Sequence, residues 1–420
     1  MTKGPKVEEW VLKNGANCVL APIEGAPLTS IDFWCKAGSY YEKPGEEGLA
    51  HFLEHMVFKG SEKLQEGEFD LMIEELGGSS NAATGLDDVH YHVLVPPNEV
   101  SKAIELLLNL VLKPSIKRNA YSKEREVVLE EIAQSNDQPE ETFLQTLLEN
   151  CWQDHPYGRP ILGTSESLKC TSPKSMKDFH KRLYVPKNMA LAIAGEIPKN
   201  IKKVINNSDL GRLTQAEDDG ESLMFTKKLN FYKGYKEIKL RRLESSRLAM
   251  AWPLAKANNV SEIIGADMAT TLLAEGRRSR LINKLREELK IVESIDMYMT
   301  VLEEGGLIVL EASCLEKNLE KVEVEINKLL KESIEALPSK KEIDRSRKLV
   351  ENSLYFSLEV PSQISSLLGS QTLWGRNYSL LEPLTFIKEW DEEHIQSRML
   401  RNLQPEESFT LIAKPTKDES

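Results

Sequence analysis

GLAHFLEHM, residues 48–56, is the stretch around which the rest of the chain can be interpreted. It contains no glycine or proline after Gly48, which predicts a helix. Residues four apart share one face of a helix, so we expect His51 and His55 to point the same way, with Glu54 in the same arc. Two imidazoles and a carboxylate that is not itself a ligand are what a catalytic zinc site requires.

A histidine pair on a helix is also compatible with an ordinary surface or with a hydrogen-bonded core. The flanking residues Leu49, Phe52, Leu53 and Met56 are apolar, which predicts that the helix lies against a core. Polar groups buried there need partners, and a metal ion is one such partner. The order His-x-x-Glu-His is the mirror of the commoner zinc helix, and it favours the metal.

A third protein ligand is expected from the acidic helical segment YSKEREVVLEEIA, residues 121–133. We expect this helix to begin near Ser122, which is placed as its cap. Its carboxylates are Glu124, Glu126, Glu130 and Glu131. Taken alone, these glutamates also fit a solvated helix face, so spacing does not choose among them.

Three segments together resemble the pitrilysin, insulin-degrading and mitochondrial-processing peptidase family of zinc metallopeptidases. They are EGLAHFLEHMVFKG at 47–60, GGSSNAAT at 77–84, and residues 124–132. The resemblance implies that Glu131, which precedes Ile132, is the third ligand of one Zn²⁺ per chain. It also implies that Glu124 is an auxiliary catalytic carboxylate near the metal, while Glu126 and Glu130 stay on a solvated face. The chain resembles short, two-domain members of the bacterial type.

The resemblance also implies a mechanism, in which Glu54 takes a proton from water and later gives it to the leaving amine. The segment from Asn81 to Thr84 resembles the family's edge strand, which pairs with the backbone of an extended substrate. A plain loop at 79–84 is the alternative. The implied substrate-binding residues are Asn81, Ala82, Ala83, Thr84 and Arg286.

One position departs from the family pattern. Members that work alone carry a tyrosine seven residues after the arginine that matches Arg286, but here that position is Glu293. A carboxylate cannot donate a hydrogen bond to a carbonyl or an oxyanion. We therefore expect a heterodimer in which a related subunit supplies the Arg/Tyr pair. A homodimer stays possible, since a register shift would bring in Tyr298.

Composition excludes several other classes. The 54 basic and 66 acidic residues give a net charge of −12, which disfavours nucleic acid as a partner. Five cysteines without CxxC spacing predict reduced thiols. We see neither a signal peptide nor an apolar run of membrane-spanning length, so the prediction is a cytoplasmic protein without a membrane partner.

The second half repeats the pattern of the first without the metal residues. A strand at 248–252 corresponds to 31–35, and a helix at 260–273 takes the place of the metal helix. The predicted fold class is α+β, with two tandem, related α/β sandwich domains whose helices pack on a mixed sheet. We expect the catalytic domain at 1–212, a linker at 213–229 and a degenerate copy at 230–420.

The sequence thus favours a zinc endopeptidase that cleaves peptides or unfolded segments inside a chamber closed by dimerisation. A non-catalytic scaffold subunit of a larger complex is the alternative, but a scaffold has no need of Glu54. A structural zinc domain would require four ligands and no spare carboxylate.

Overall fold

In the computed structural model, the chain is described over residues 5–214, 228–376 and 379–416. Its contacts divide it into two compact units, each built from three segments. Unit 1 comprises Met1–Ala133, Arg159–Thr226 and Phe356–Leu380, and unit 2 comprises Gln134–Gly158, Lys227–Tyr355 and Leu381–Ser420. Each half of the chain therefore gives one segment to the unit formed mainly by the other half. The domain boundaries expected from the sequence stay a prediction.

Eleven strands are found among the described residues. They are β1 Glu8–Val11, β2 Asn17–Pro22, β3 Thr29–Cys35, β4 Ser79–Thr84, β5 Val89–Val95, β6 Met189–Gly195, β7 Gly234–Leu240, β8 Ser246–Leu254, β9 Ser294–Thr300, β10 Gly306–Cys314 and β11 Phe409–Pro415.

The α-helices of the described residues vary from a single turn to twenty residues. They are α1 Leu49–Val57, α2 Glu68–Glu75, α3 Val100–Leu112, α4 Arg118–Asp137, α5 Pro139–Trp152, α6 Ser165–Cys170, α7 Pro173–Leu183, α8 Ile201–Asn207, α9 Asp209–Arg212, α10 Val260–Ala274, α11 Leu319–Glu335, α12 Lys340–Ser357, α13 Pro361–Leu373, α14 Pro383–Ile387 and α15 Glu392–His394. Two π-helical segments, Ile282–Glu288 and Ile395–Met399, lie in the second half.

The two sheets share one topology. In unit 1 the strand order is β1-β2-β6-β3-β5-β4, and in unit 2 it is β7-β11-β8-β10-β9. Both contain a parallel pair, β2 with β6 and β7 with β11, followed by antiparallel neighbours. Apart from β1, each strand of the first sheet thus has a counterpart in the second. This confirms the predicted α+β fold with a degenerate second copy.

Helices cover both faces of the central strands of unit 1, and β3 and β6 are therefore buried along their whole length. α13 packs on β2, β3 and β6. Its close approach depends on small residues, because a Cβ on Gly369 would lie 2.3 Å from Trp34 Cδ1. Near by, the hydroxyls of Ser30 and Ser365 are 2.8 Å apart.

One expectation about local structure is wrong. The glutamate-bearing helix does not begin at Ser122 as a cap; α4 begins at Arg118, and the Ser122 hydroxyl donates back to the Arg118 carbonyl within the helix. The expected linker at 213–229 is preceded by α8 and α9, which are held by the buried residues Ile201, Ile205 and Leu210. Residues 215–227 of the predicted linker lie outside the described part of the chain.

Candidate metal centre

The metal-binding candidates on α1 sit on a helix that is buried along most of its length. His51 is 9% exposed, while Glu54 and His55 are half-buried. The two imidazole rings are 4.7 Å apart between centroids and are inclined by 64°. The expected spacing of four residues on one helical face therefore places both rings side by side.

The N-terminus of α1 is held by a residue that the sequence analysis did not single out. Its N-cap is Gly48, which has φ of +87° and no side chain to cap the helix. The buried carboxylate of Glu42 takes this role, accepting the Gly48 N–H at 3.1 Å and the Ala50 N–H at 2.8 Å. Burial raises the pKa of Glu42 to about 8, against the effect of these two bonds. Glu42 thus fixes the backbone of the first turn of α1 as far as Ala50, the residue before His51.

Backbone packing fixes the same helix end from another side. A Cβ on Gly48 would lie 2.4 Å from the Leu162 carbonyl oxygen, and one on Gly163 would lie 2.5 Å from the Glu47 oxygen. The Glu47 oxygen also accepts a bond from the Ser167 hydroxyl at 2.8 Å. The start of α1 therefore has little freedom to shift, which pre-positions His51.

α4 brings Glu131 to the histidine pair. Glu131 Oε1 lies 3.7 Å from His51 Nε2, and Glu131 Oε2 lies 3.4 Å from His55 Nε2. One ligand atom from each of the three residues lies within 4.8 Å of the others. Along the same helix Glu126 and Glu130 are exposed, as predicted for a solvated face.

This donor set fits zinc. Ligands about 2.1 Å from a tetrahedral zinc ion are roughly 3.4 Å from one another, close to the two separations seen here. Burial, and then the charge of His55, lower the pKa of His51 to about 4. His51 is therefore neutral at pH 7, with a lone pair free to bind a metal. Three protein ligands leave one tetrahedral position open, which is typical of a catalytic site.

Glu124 contacts His55 but is not part of the three-residue group. Its Oε1 lies 3.1 Å from His55 Nδ1, and its Oε2 is 2.8 Å from Lys59 Nζ. With a proton on Nδ1, His55 donates to Glu124 and keeps its Nε2 lone pair directed at the group shared with Glu131. The carboxylate is buried, and Lys59 balances its charge. These contacts allow Glu124 to fix the orientation of the His55 ring.

Glu54 has a different partner. Its Oε2 accepts a hydrogen bond from the Thr84 hydroxyl, and Glu54 is not part of the group of His51, His55 and Glu131 that could hold a metal. Burial raises the pKa of Glu54, although the Thr84 bond and the charge of His55 lower it. A carboxylate with a raised pKa accepts a proton more readily, as a general base must.

The predicted substrate strand is β4, the outermost strand of its sheet on one side. Its residues pair with β5 only, with Asn81 opposite His92 and Thr84 opposite Val89. The other edge of β4 has no strand partner among the described residues, and Asn81 and Ala83 are exposed. The 79–84 segment is a strand, and the loop alternative is wrong.

Arg286 belongs to unit 2 and lies in the π-helical segment Ile282–Glu288. Its guanidinium is half-exposed and pairs with Glu287 at 3.2 Å. Glu293 is exposed just before β9. On β9, the Tyr298 hydroxyl is 3.5 Å from Glu311 Oε2.

Comparison with known proteins agrees with this geometry. Residues 19–165 match the model of the insulinase family (peptidase family M16), and residues 171–350 match that of the M16 inactive domain. The chain belongs to the M16 peptidase family. This confirms the resemblance inferred from the motifs, and the second match agrees with a second half that has lost the metal residues.

The matches to similar proteins cover most of this chain. An uncharacterized zinc protease of Rickettsia bellii is 27% identical over 90% of both chains. A probable mitochondrial-processing peptidase subunit beta of Arabidopsis thaliana is 25% identical over 90% of this chain and 72% of that one. A protease structure from Helicobacter pylori has a TM-score of 0.88 at 21% identity, covering 98% of this chain and all of that chain. The last likeness concerns the fold alone.

Proposed function

We propose that this protein is a zinc-dependent endopeptidase that hydrolyses peptides or unfolded segments. The observation that carries the proposal is the arrangement around α1, where His51, His55 and Glu131 converge while Glu54 stays outside their group. One zinc ion per chain is proposed at these three residues. The names of the relatives as zinc proteases support the same choice.

In this proposal, zinc when bound supplies a Lewis acid that polarises a carbonyl and activates water. Glu54 accepts the proton of the attacking water and returns it to the leaving amine, and the Thr84 hydroxyl orients its carboxylate. Glu124, held by Lys59, fixes the His55 ring. The residues around the metal thus separate ligand, base and positioning roles.

The open edge of β4 supports an extended substrate. A peptide added as a further strand would use main-chain hydrogen bonds along Asn81–Thr84, which makes few demands on its sequence. Thr84 links this strand directly to Glu54. The bound backbone would therefore run beside the proposed base.

The chamber and its second subunit are also proposals. The family pattern has a tyrosine at the position of Glu293, and a carboxylate cannot supply the hydrogen-bond donor of that tyrosine. The hydroxyl of Tyr298, the other candidate donor, faces Glu311. We propose a heterodimer in which a related subunit contributes an arginine and a tyrosine, with a homodimer as the alternative.

We also propose a cytoplasmic location. All five cysteines are free thiols, four of them buried, which supports this location. Within the described residues, no helix is both long and apolar enough to cross a membrane.

The test is cleavage of a mixed peptide library, followed by mass spectrometry, by the purified chain alone and with any co-purifying subunit. We expect cleavage that a chelator removes and zinc restores, and a rate about 10²–10³ higher when the missing donor is supplied. Glu293→Tyr should raise the rate of the lone chain. A zinc-loaded complex that cleaves nothing would contradict the peptidase and favour the scaffold. Full activity of the chain alone would contradict the heterodimer.

A further inference from the structure

Strands β4 and β5 are joined by a tight turn at residues 85–88, which begins directly after Thr84. A backbone hydrogen bond of 2.7 Å from Gly85 N to the Asp88 carbonyl closes this turn. Thr84 also donates to the carboxylate of Glu54, the proposed base. The position of the turn therefore determines where the Thr84 hydroxyl lies relative to Glu54.

The loop before α1 supports the first half of the turn. Ser39 N donates to the Gly85 carbonyl at 3.2 Å. Tyr40 N donates to the Leu86 carbonyl at 2.8 Å. A Cβ on Gly38 would lie 2.4 Å from the Leu86 carbonyl oxygen, so the loop and the turn pack backbone against backbone.

The last residue of the turn is held by a side chain from the second half of the chain. Trp374, at the C-terminal end of α13, donates its indole Nε1–H to Asp88 Oδ2 at 3.1 Å. Its ring packs against a small buried cluster that includes Trp34 and Leu373, and the Lys36 ammonium lies 4.3 Å from the ring centroid. Burial raises the pKa of Asp88, although the bond from Trp374 lowers it. A hydrogen bond in such a desolvated place costs more to lose than an exposed one.

A related contact is found in unit 2, with the two halves of the chain exchanged. Tyr157, which follows α5, accepts at its hydroxyl a hydrogen bond of 3.2 Å from Glu304 N, in the turn between β9 and β10. The segments of α5 and α13 are the ones that each half gives to the other unit, and each is followed by an aromatic residue that contacts a hairpin turn. Because α10 contains no histidine, the contact in unit 2 bears on the fold alone.

We infer that Trp374 is a positioning residue for the proposed base, and that it acts through Asp88 and Thr84. Without its hydrogen bond, the turn keeps the support of the loop before α1 but loses its anchor to α13. The Thr84 hydroxyl then spends less time bonded to Glu54, whereas the zinc ligands on α1 and α4 are held by other contacts. The inference rests on the proposed peptidase function. Trp374 lies beyond residue 350 and thus outside both family matches.

The test compares conservative variants of the zinc-loaded enzyme. Trp374→Phe removes the indole N–H and keeps an aromatic ring, so we expect kcat to fall about three- to tenfold while KM and zinc affinity change by less than about twofold. Trp34→Phe is the matched control, because its indole N–H lies in the same cluster but has no hydrogen-bond partner among the described residues. Tyr157→Phe removes the related contact in unit 2. Both controls should keep the wild-type kcat.

Two further measurements show whether Trp374 acts through the turn. In a Thr84→Val background, which already lacks the hydroxyl, Trp374→Phe should lower kcat no further. Amide hydrogen exchange of residues 84–88 should become faster in Trp374→Phe and stay unchanged in Tyr157→Phe. The exchange measurement requires no cleavage, so it separates this inference from the proposed reaction.

Faster exchange at the turn in Trp374→Phe supports the positioning role even if no peptide is ever cleaved, an outcome that would contradict only the proposed function. Unchanged exchange at the turn would overturn the inference, and so would an unchanged kcat in an enzyme that cleaves peptides. An equal loss of kcat in Tyr157→Phe, or a further loss in the Thr84→Val background, would also overturn it.

Discussion

Helices α1 and α10 occupy equivalent places, each next along the chain after a central strand of its own sheet, yet their polar residues differ. Each is followed by a glycine with positive φ, Gly60 or Gly276. Counted back from these glycines, the positions of His51, Glu54 and His55 correspond to Asp267, Thr270 and Thr271.

The same contrast holds for α4 and α12. Buried positions recur at the same spacing, Tyr121, Glu124 and Val128 in α4 and Ile343, Ser346 and Val350 in α12. Glu124 thus corresponds to Ser346, and Glu131 to the exposed Ser353.

Unit 2 forms the corresponding strand order, although none of these equivalent positions carries a histidine or a glutamate. The fold therefore does not need two imidazoles and a carboxylate in a half-buried cluster, and such a cluster costs stability unless it is paired. What the comparison teaches is that these residues in unit 1 are explained by chemistry, whereas their counterparts are explained by packing.

The largest effect is expected when a proposed zinc ligand is removed. His51→Ala and Glu131→Gln should each weaken zinc binding by more than about 100-fold, since each removes one of three protein ligands, and cleavage should fall with it. Glu126→Gln, on the exposed face of α4, is the control and should bind zinc normally. Competition with a chromogenic chelator measures the affinity. Unchanged affinity in Glu131→Gln would reassign the third ligand to Glu130 or Glu124.

A smaller effect is expected from Glu124→Gln. The variant keeps an acceptor for His55 Nδ1 but loses the charge that Lys59 balances, so zinc affinity should fall by about 10–100-fold. Ser346→Ala, the counterpart in unit 2, should leave zinc affinity as it is. A loss in both variants would show a general effect on folding and would contradict the positioning role.

The smallest effect concerns Asp267, the counterpart of His51. Burial, and then the charge of Glu275, raise the pKa of Asp267 to about 6. Because the folded pKa lies above the unfolded one, the stability that this group contributes below about pH 4 is lost as the pH rises through 6. Asp267→Asn should therefore raise the melting temperature by about 1–3 °C at pH 8, and by less at pH 5. Equal shifts at both pH values in thermal denaturation would contradict the assignment.

The sequence was sufficient for the elements that have strong local patterns. The apolar alternation of β5, the run of β3 and the histidine spacing of α1 each depend on neighbours within one element. The start of α4 was misplaced because Arg118 and the residues after it also favour a helix, so Ser122 is not needed as a cap.

The rest depends on contacts that local patterns do not encode. Glu42 accepts hydrogen bonds at the N-terminus of α1 from a loop that precedes the helix. The only indication of this in the sequence was Gly48 at the N-cap, because glycine has no side chain that could accept those bonds. An apolar helix face does not reveal which sheet it covers, so the exchange of α5 and α13 between the halves could not be foreseen. The pairing of Lys59 with Glu124 joins α4 to the end of α1 and depends on the fold in the same way.

The most direct test of the account is zinc content and peptide cleavage measured on one preparation of Glu54→Gln. Glutamine cannot take a proton, but it leaves His51, His55 and Glu131 in place. We predict one zinc ion per chain, as in the wild-type protein, and a fall in kcat of about 10³-fold or more. A parallel loss of zinc and activity would make Glu54 a ligand, and an unchanged kcat would remove it from the reaction.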